Sequence, residues 1–274
     1  MTRPLKRMPT PLGVGAGQTA SCNLPLGLTY ERLYIRLNVD VATVATDVAL
    51  ADWGTYINEI RVMVDGDAKI ELTATALVAL NAYYDQTKSM TPGVLPLFLS
   101  RPWMRSILGE DQSGYGTMGG ISTLSLEMDL KDGITINSLD VYASQSNGKP
   151  FGPHLRIQKI TRNQGVTGEA QISEINRGSY VMLAAHVATA DIGDVEILAD
   201  ERVVHKSDAA LRDSHYAVIG RVPQAGYTHI DFVTENRLSE AMPMELDDFR
   251  MNLDFTATGN FPIYLESLQG QSRG

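Results

Sequence analysis

Three stretches of the chain alternate strictly between apolar and polar residues over seven positions, and this period of two limits the possible folds more than any other feature. The stretches are 33–39, Leu124–Leu130 and Phe249–Phe255. Successive side chains of a β-strand point to opposite faces, so each stretch is typical of a strand with one buried face. Many short strands between turn residues predict an all-β fold of the sandwich or jelly-roll type. Shorter stretches with the same pattern lie at 59–64, 139–143, 193–198, 227–233 and 261–267.

Two segments depart from the alternation and predict short helices between strands. Residues 73–85 contain neither Gly nor Pro, are rich in Ala and Leu, and start with Thr73, a suitable N-cap. Residues 207–218 offer Ser207 or Asp208 as the N-cap, followed by Ala-Ala-Leu. We expect each segment to form a helix of about three turns.

The two helices occupy corresponding places in the two halves of the chain, which indicates an internal duplication. VMVDG precedes the first helix and ILADE precedes the second, so Asp65 corresponds to Asp200. The sequence separation between matched residues becomes smaller along the chain, as it would if the second copy kept the strand order but had shorter loops. The further matched pairs are Phe98 with Phe232, the strand at 124–130 with that at 249–255, and Tyr142 with Tyr264.

These patterns predict four regions and two tandem jelly-roll β-barrels, each with one inserted helix. Residues 1–20 combine Pro and Gly with the cations Arg3, Lys6 and Arg7, which is typical of a flexible basic arm. The first jelly roll is expected at 21–145 and the second at 153–270. The polar segment 146–152, with its Gly and Pro, is the expected linker.

Charge and cysteine content exclude several classes of function. The formal net charge is −9, and a surface of this sign disfavours sequence-specific binding of nucleic acid by the body of the protein. Cys22 is the only cysteine, so an internal disulfide framework and a cysteine-based zinc site are excluded. We expect neither a secretory signal nor a membrane-spanning helix, because no uninterrupted apolar run approaches the ~18 residues that a span needs.

The sequence contains no recognisable catalytic or cofactor motif. The five histidines are scattered without metal-ligand spacing, and no G-x-S-x-G motif is present. The glycines of GVGAG at 13–17 follow no strand and lack the lysine of a phosphate-binding loop. D-G-D at 65–67 is typical of a hairpin turn. We therefore predict a protein that is not an enzyme, with no catalytic and no cofactor-binding residues and with unknown metal ligands.

Four segments together resemble the double jelly-roll major capsid proteins of membrane-containing icosahedral phages, and the corticovirus coat proteins in particular. They are SCNLPLGLTYERLYI (21–35), VMVDG with the following helix (62–84), GVLPLFLSRPWM (93–104) and YLESLQG (264–270). The resemblance covers nearly the whole chain. One departure is the stretch 40–56, which is longer than the corresponding connection of the family and suggests a surface loop or tower.

The resemblance implies a virion structural protein that is assembled in the host cytoplasm. Homotrimers would present six similar barrels as pseudo-hexameric capsomers, which tile an icosahedral shell over an internal lipid membrane. Further expected partners are other copies in the lattice and a penton or spike protein at the vertices. Bound calcium is an additional possibility of the family. The cations Arg3, Lys6 and Arg7 would then contact the membrane or a neighbouring capsomer.

Two other functions are compatible with an all-β chain. A β-sandwich module that binds carbohydrate or another ligand would expose aromatic side chains in a groove, whereas aromatic residues make up 7% of this chain and fall mostly at strand positions. A cupin-type enzyme would need clustered His and carboxylate ligands on facing strands. Both alternatives lack their expected residues.

Overall fold

The computed structural model describes residues 3–88, 90–106 and 113–270 and is built mainly from β-strands. It separates into two compact units. The first unit contains Met1–Ala82 and Gln86–Ile157, and the second contains Tyr83–Asp85 and Gln158–Gly274.

The first unit consists of two sheets. One sheet has the order β1-β10-β3-β4, with β7 and β8 also paired to β3, and the other has the order β6-β5-β9-β2. A short 3-10 turn at Leu50–Asp52 precedes the first helix. The elements are β1 (Leu5–Arg7), β2 (Thr19–Asn23), β3 (Thr29–Val41), β4 (Val44–Asp47), α1 (Trp53–Tyr56), β5 (Ile57–Val64), β6 (Asp67–Thr73), α2 (Ala74–Tyr83), β7 (Val94–Phe98), β8 (Tyr115–Gly116), β9 (Leu124–Leu130) and β10 (Ile136–Ser146).

The second unit repeats this arrangement. One of its sheets has the order β16-β13-β19-β11, with β17 also paired to β13, and the other has the order β12-β18-β14-β15. Strand β11 belongs to this unit from Gln158 onward. The elements are β11 (His154–Gln164), β12 (Gly168–Ile172), β13 (Tyr180–Val187), β14 (Ile192–Ala199), β15 (Arg202–Ser207), α3 (Ala209–Val218), β16 (Thr228–Asp231), a 3-10 turn (Leu238–Glu240), β17 (Met242–Pro243), β18 (Phe249–Phe255) and β19 (Gly259–Gln269).

Strand order and strand pairing correspond between the two units. In the first unit, the hairpin β5–β6 is followed by helix α2 and by the short strand β7, which pairs with β3. In the second unit, the hairpin β14–β15 is followed by helix α3 and by the short strand β16, which pairs with β13. The pairs β2–β9 and β12–β18 also correspond, as do β3–β10 and β13–β19. The predicted all-β fold of two tandem jelly rolls, each with an inserted helix, is confirmed.

The period of two produces the core of each unit. In β9 and in β18, buried and half-buried residues alternate without exception, with the apolar residues inside. Strand β18 thereby contributes Phe249, Met251, Leu253 and Phe255 to the apolar core of the second unit. Burial of apolar surface at about 25 cal/mol per Å² is the main term that stabilises such a core.

Both predicted helices are present, and side chains cap them as expected. The amide of Ala76 donates to Thr73 Oγ1 at 3.1 Å, just before α2 begins. At α3, Asp208 is the N-cap and its Oδ1 accepts from the amide of Leu211 at 2.8 Å. Each contact satisfies one backbone donor that the first helical turn leaves without an intrahelical partner.

The stretch 40–56 contains β4 and α1, and neither element has a counterpart among the described residues of the second unit. Residues 41–47 are exposed, including Val41 and Val44, and they form the tip of the β3–β4 hairpin. The end of the stretch turns inward, because Val48 and Trp53 are buried. The stretch is therefore an exposed hairpin followed by an anchored helical turn.

The prediction of a flexible arm at 1–20 is wrong for the residues that form strands there. Leu5–Arg7 pair with β10, and Met8 is buried. Strand β1 pairs with β10 in the first unit, and β11, the first strand of the second unit, likewise lies next to β19. The segment is therefore the first strand of a jelly roll. Sequence patterning missed it because β1 has three residues, all of them exposed, and so shows no alternation.

Candidate functional site

The three cations proposed for contact with a membrane or neighbour lie at the edge of one sheet. Arg3 precedes β1, while Lys6 and Arg7 are part of it, and all three side chains are exposed. The pairing of β1 with β10 places Lys6 opposite Ala143 and Arg7 opposite Tyr142. Lys6 and Arg7 are therefore displayed from a hydrogen-bonded strand, and Arg3 lies just before it.

Arg7 is partly neutralised within the chain. Its Nη2 donates to Asp140 Oδ1, and this hydrogen bond and the negative charge of Asp140 raise the pKa of the Arg7 guanidinium. The pair is exposed, so its contribution to stability is small. Its effect is on charge, since Asp140 offsets one of the three positive charges that the sequence assigns to this segment.

In each unit, the carboxylate of an aspartate in a hairpin turn binds the backbone just before a core strand. Asp65 Oδ1 accepts from the amides of Ser122 and Thr123, both at 2.8 Å. These backbone donors stabilise the charged form, so they lower the pKa of Asp65, with a smaller contribution from the Thr123 hydroxyl. Asp65 has a φ of +49° and Gly66 a φ of +82°, the left-handed geometry that a tight hairpin turn requires.

Asp200, the residue of the second unit that corresponds to Asp65, also accepts two backbone hydrogen bonds. Asp200 Oδ1 accepts from the amides of Asp247 and Asp248 at 2.9 and 3.0 Å, and Asp200 has a φ of +47°. The clamped residues lie directly before β18, as Ser122 and Thr123 lie directly before β9. The correspondence of Asp65 with Asp200 is therefore confirmed in geometry as well as in order.

The outer face of the sheet that contains β18 is acidic. A shallow groove there is lined by Glu169, Asp194, Glu196 and Asp254, together with Lys206 and Asn252. Lys206 Nζ donates to Glu196 at 2.9 Å, and this bond, followed by one from Asn252, lowers the pKa of Glu196. This surface disfavours contact with phosphate groups, in agreement with the net charge.

The second unit also buries a polar cluster that the sequence did not indicate. His186 on β13 and His229 on β16 are fully buried, and their Nδ1 atoms lie 2.7 Å apart. The two residues are direct partners in the β13–β16 ladder but stand far apart in the sequence. The sequence predicted that the histidines are strand or surface residues. Four of them lie on strands (His154, His186, His205 and His229), and His215 is exposed on α3.

Within residues 3–88, 90–106 and 113–270, no group of three or more His, Cys, Asp or Glu side chains is arranged to hold a metal ion. Calcium thus stays a prediction from the resemblance. In the same part of the chain, no helix is both long enough and apolar enough to cross a bilayer.

The fold is a double jelly roll, an architecture that the chain shares with capsid proteins of known structure. It superposes on the crystal structure of the major capsid protein P2 from bacteriophage PM2 with a TM-score of 0.87, at 21% identity, over 100% of this chain and 99% of that one. A chain in the atomic structure of Sulfolobus Turreted Icosahedral Virus gives a TM-score of 0.70 at 12% identity, with coverage of 98% and 91%. A PBCV-1 virus capsid model gives 0.62 at 8% identity, with coverage of 99% and 96%. At these identities, the likeness concerns the fold.

Sequence models of one family supply the identification. Residues 5–146 match the N-terminal domain of viral coat protein P2, and residues 154–271 match its C-terminal domain. The chain therefore belongs to the viral coat protein P2 family. No curated protein sequence is significantly similar to it.

Family and fold together give the function predicted from the sequence. The chain is a viral coat protein with a double jelly-roll fold and is located in the virion. The family is one of structural proteins. The alternative of a β-sandwich module that binds carbohydrate or another ligand is not favoured.

Proposed function

We propose that this coat protein assembles in the host cytoplasm as a homotrimer that serves as a pseudo-hexameric capsomer of an icosahedral shell. The observation that carries the proposal is the correspondence of two jelly rolls within one chain, down to the matching clamps of Asp65 and Asp200. Three copies of two similar barrels present six similar units around a threefold axis, which is the number a hexagonal tile requires. We place the junction of the barrels in the linker at 146–152.

The same proposal assigns the remaining partners. Other trimers surround each capsomer in the lattice, a penton or spike protein occupies the vertices, and an internal membrane lies beneath the shell. An interface that holds such a tile together permanently is expected to bury more than roughly 2,000 Å². The net charge of −9 supports a body that does not bind the genome directly.

Native mass spectrometry of capsomers released gently from particles tests the trimer. The proposal expects a species of three times 29.9 kDa that persists on dilution. A chain that stays monomeric at high concentration in neutral buffer refutes the trimer, while its membership of the coat protein family would stand.

We further propose that Arg3, Lys6 and Arg7 face the particle interior and contact the anionic membrane surface or an adjacent capsomer. Each cation close to an anionic bilayer contributes about 1 kcal/mol before salt screening, so a single copy binds weakly and the lattice supplies avidity. Because Asp140 already pairs with Arg7, Lys6 is expected to contribute more than Arg7 to this contact.

Flotation of purified capsomers with vesicles that contain anionic lipid tests this contact. Lys6→Ser is expected to reduce the bound fraction more than Arg7→Ser, and both effects should shrink as salt is added. Lys131→Ser, which removes an exposed cation outside the segment, is the matched control. Equal binding by Lys6→Ser and the unmodified protein at low salt would show that β1 does not contact lipid.

A further inference from the structure

The buried histidine pair of the second unit has an arrangement that fixes where its protons lie. A contact of 2.7 Å between His186 Nδ1 and His229 Nδ1 requires one nitrogen to donate and the other to accept. The direction follows from the far side of His229, where Nε2 lies 3.2 Å from the amide nitrogen of Gln224. A backbone amide can only donate, so His229 Nε2 is the acceptor and carries no proton.

The unprotonated Nε2 of His229 also determines where the other imidazole protons of the pair lie. With Nε2 unprotonated, neutral His229 carries its proton on Nδ1 and donates it to His186 Nδ1. His186 then holds its own proton on Nε2, which faces Glu266 Oε1 at 3.8 Å. Tyr84 OH donates to the other carboxyl oxygen, Glu266 Oε2, at 3.0 Å. The hydrogen bonds therefore run from Gln224 through His229 to His186, and the Nε2–H of His186 faces Glu266 across 3.8 Å, a distance longer than a hydrogen bond.

A cationic imidazolium does not fit this chain. A protonated His229 would direct an N–H at the N–H of Gln224, and a protonated His186 would force the proton of neutral His229 onto the same Nε2 atom. Each change therefore removes the acceptor of Gln224. Burial strongly lowers the pKa of His229, and the positive charge of Arg212, with that of His186 whenever it is protonated, lowers it further.

Asp231, the acid nearest to His229 on β16, offers a cation on that ring little support. Asp231, the nearby acid of β16, is already committed to Arg221 Nε at 2.8 Å and to Tyr83 OH at 3.1 Å. The ring of Tyr83 stacks on His229, with centroids 4.1 Å apart. The titratable and charged groups that face the pair are Tyr83 and Tyr84, Tyr216 and Arg212 on α3, Arg221 and Tyr227 in the loop before β16, Asp231 on β16, and Tyr264 and Glu266 on β19.

We propose that the chain Gln224–His229–His186–Glu266 is an acid-sensitive lock that holds the loop at 220–227 and strand β16 in place at neutral pH. Strand β16 is the outermost strand of its sheet order and pairs with β13 at four positions, from Ala184↔Asp231 to Val187↔Thr228. Protonation of either histidine breaks the chain at Gln224 and places a buried positive charge beneath that edge. Acid thereby weakens the second unit at one defined place.

The proposal determines the direction and size of the pH dependence. His229 is neutral when folded and titrates near pH 6.5 when unfolded, so the unfolded state binds more protons below that pH. Its stabilising effect is complete above about pH 6.5 and is lost as the pH falls toward the lowered folded pKa. Below pH 6.5 and above the folded pKa of His229, the folding equilibrium constant drops by up to about tenfold per pH unit because His229 is held neutral.

Two measurements on the purified full-length protein test the lock. Nitrogen-15 chemical shifts of the imidazoles at neutral pH should show His229 protonated on Nδ1 and His186 on Nε2. A charged ring, or the same tautomer on both residues, overturns the proposal without the need for any variant.

The second measurement is urea unfolding between pH 7.5 and 5.0. His229→Gln should leave the pH dependence of the folding constant nearly unchanged between pH 7.5 and 6.5, and should reduce it by up to about one power of ten per pH unit below pH 6.5. His215→Gln, which alters an exposed histidine of α3, is the matched control and should leave the dependence unchanged. Equal pH dependence of the unmodified protein and His229→Gln would refute the lock. If His229→Gln does not fold, the tautomer measurement decides.

Discussion

Leu253→Ala tests whether the period of two creates the core of the second unit. Leu253 lies in β18 between β12 and β14, opposite Ala170 on one side and Val195 on the other, and its side chain is fully buried. The substitution removes three carbon atoms, which at about 0.8 kcal/mol each amount to about 2.4 kcal/mol of lost transfer free energy. The cavity left among the surrounding strands raises the expected cost to about 3–4 kcal/mol.

The assay is equilibrium urea unfolding followed by far-UV circular dichroism. Asp254→Ala changes the next residue of the same strand, which is half-buried on the acidic outer face, and should alter the free energy of unfolding by about 0.5 kcal/mol or less. Met128→Ala changes the matching buried position of β9 and should cost about 2–5 kcal/mol. If Asp254→Ala destabilises the protein as much as Leu253→Ala, the reasoning from alternation to core is wrong.

Two further predictions concern features that recur in both units. Asp208→Ala removes the acceptor for the amide of Leu211 and should cost about 1 kcal/mol in the free energy of unfolding, measured in urea, with Asp213→Ala on the exposed face of the same helix as control. Asp65→Asn keeps an acceptor oxygen but removes the titration. The folded pKa of Asp65 lies below its ordinary value of 3.8, so its stabilising effect is present above about pH 3.8 and is lost below. The melting temperature of the variant should therefore fall less than that of the unmodified protein between about pH 5 and about pH 3. An unchanged acid response of Asp65→Asn would show that the Asp65 clamp does not contribute.

The elements that the sequence predicts well are those whose signals are local. A strand of seven residues with one buried face must alternate, and the N-caps of α2 and α3 need a short polar side chain at one position. The duplication could also be recognised, because Asp65 and Asp200 each begin a turn that admits few residue types at positive φ. These features depend on neighbours within a few positions.

The features that the sequence did not predict depend on distant pairing. Strand β1 is short and exposed, so only its hydrogen bonds to β10 define it. The pairing of Arg7 with Asp140 follows from the same register. The contact of His186 with His229 requires the register of β13 with β16, which no local pattern encodes. Register of this kind is set by the packing of the whole sheet.

Electron cryo-microscopy of capsomers released from particles tests the central claim most directly. The account predicts a trimer with threefold symmetry in which six similar β-barrels form a ring of hexagonal outline, two from each 29.9 kDa chain. A capsomer with one barrel per chain in the ring, or a different number of chains, would contradict it.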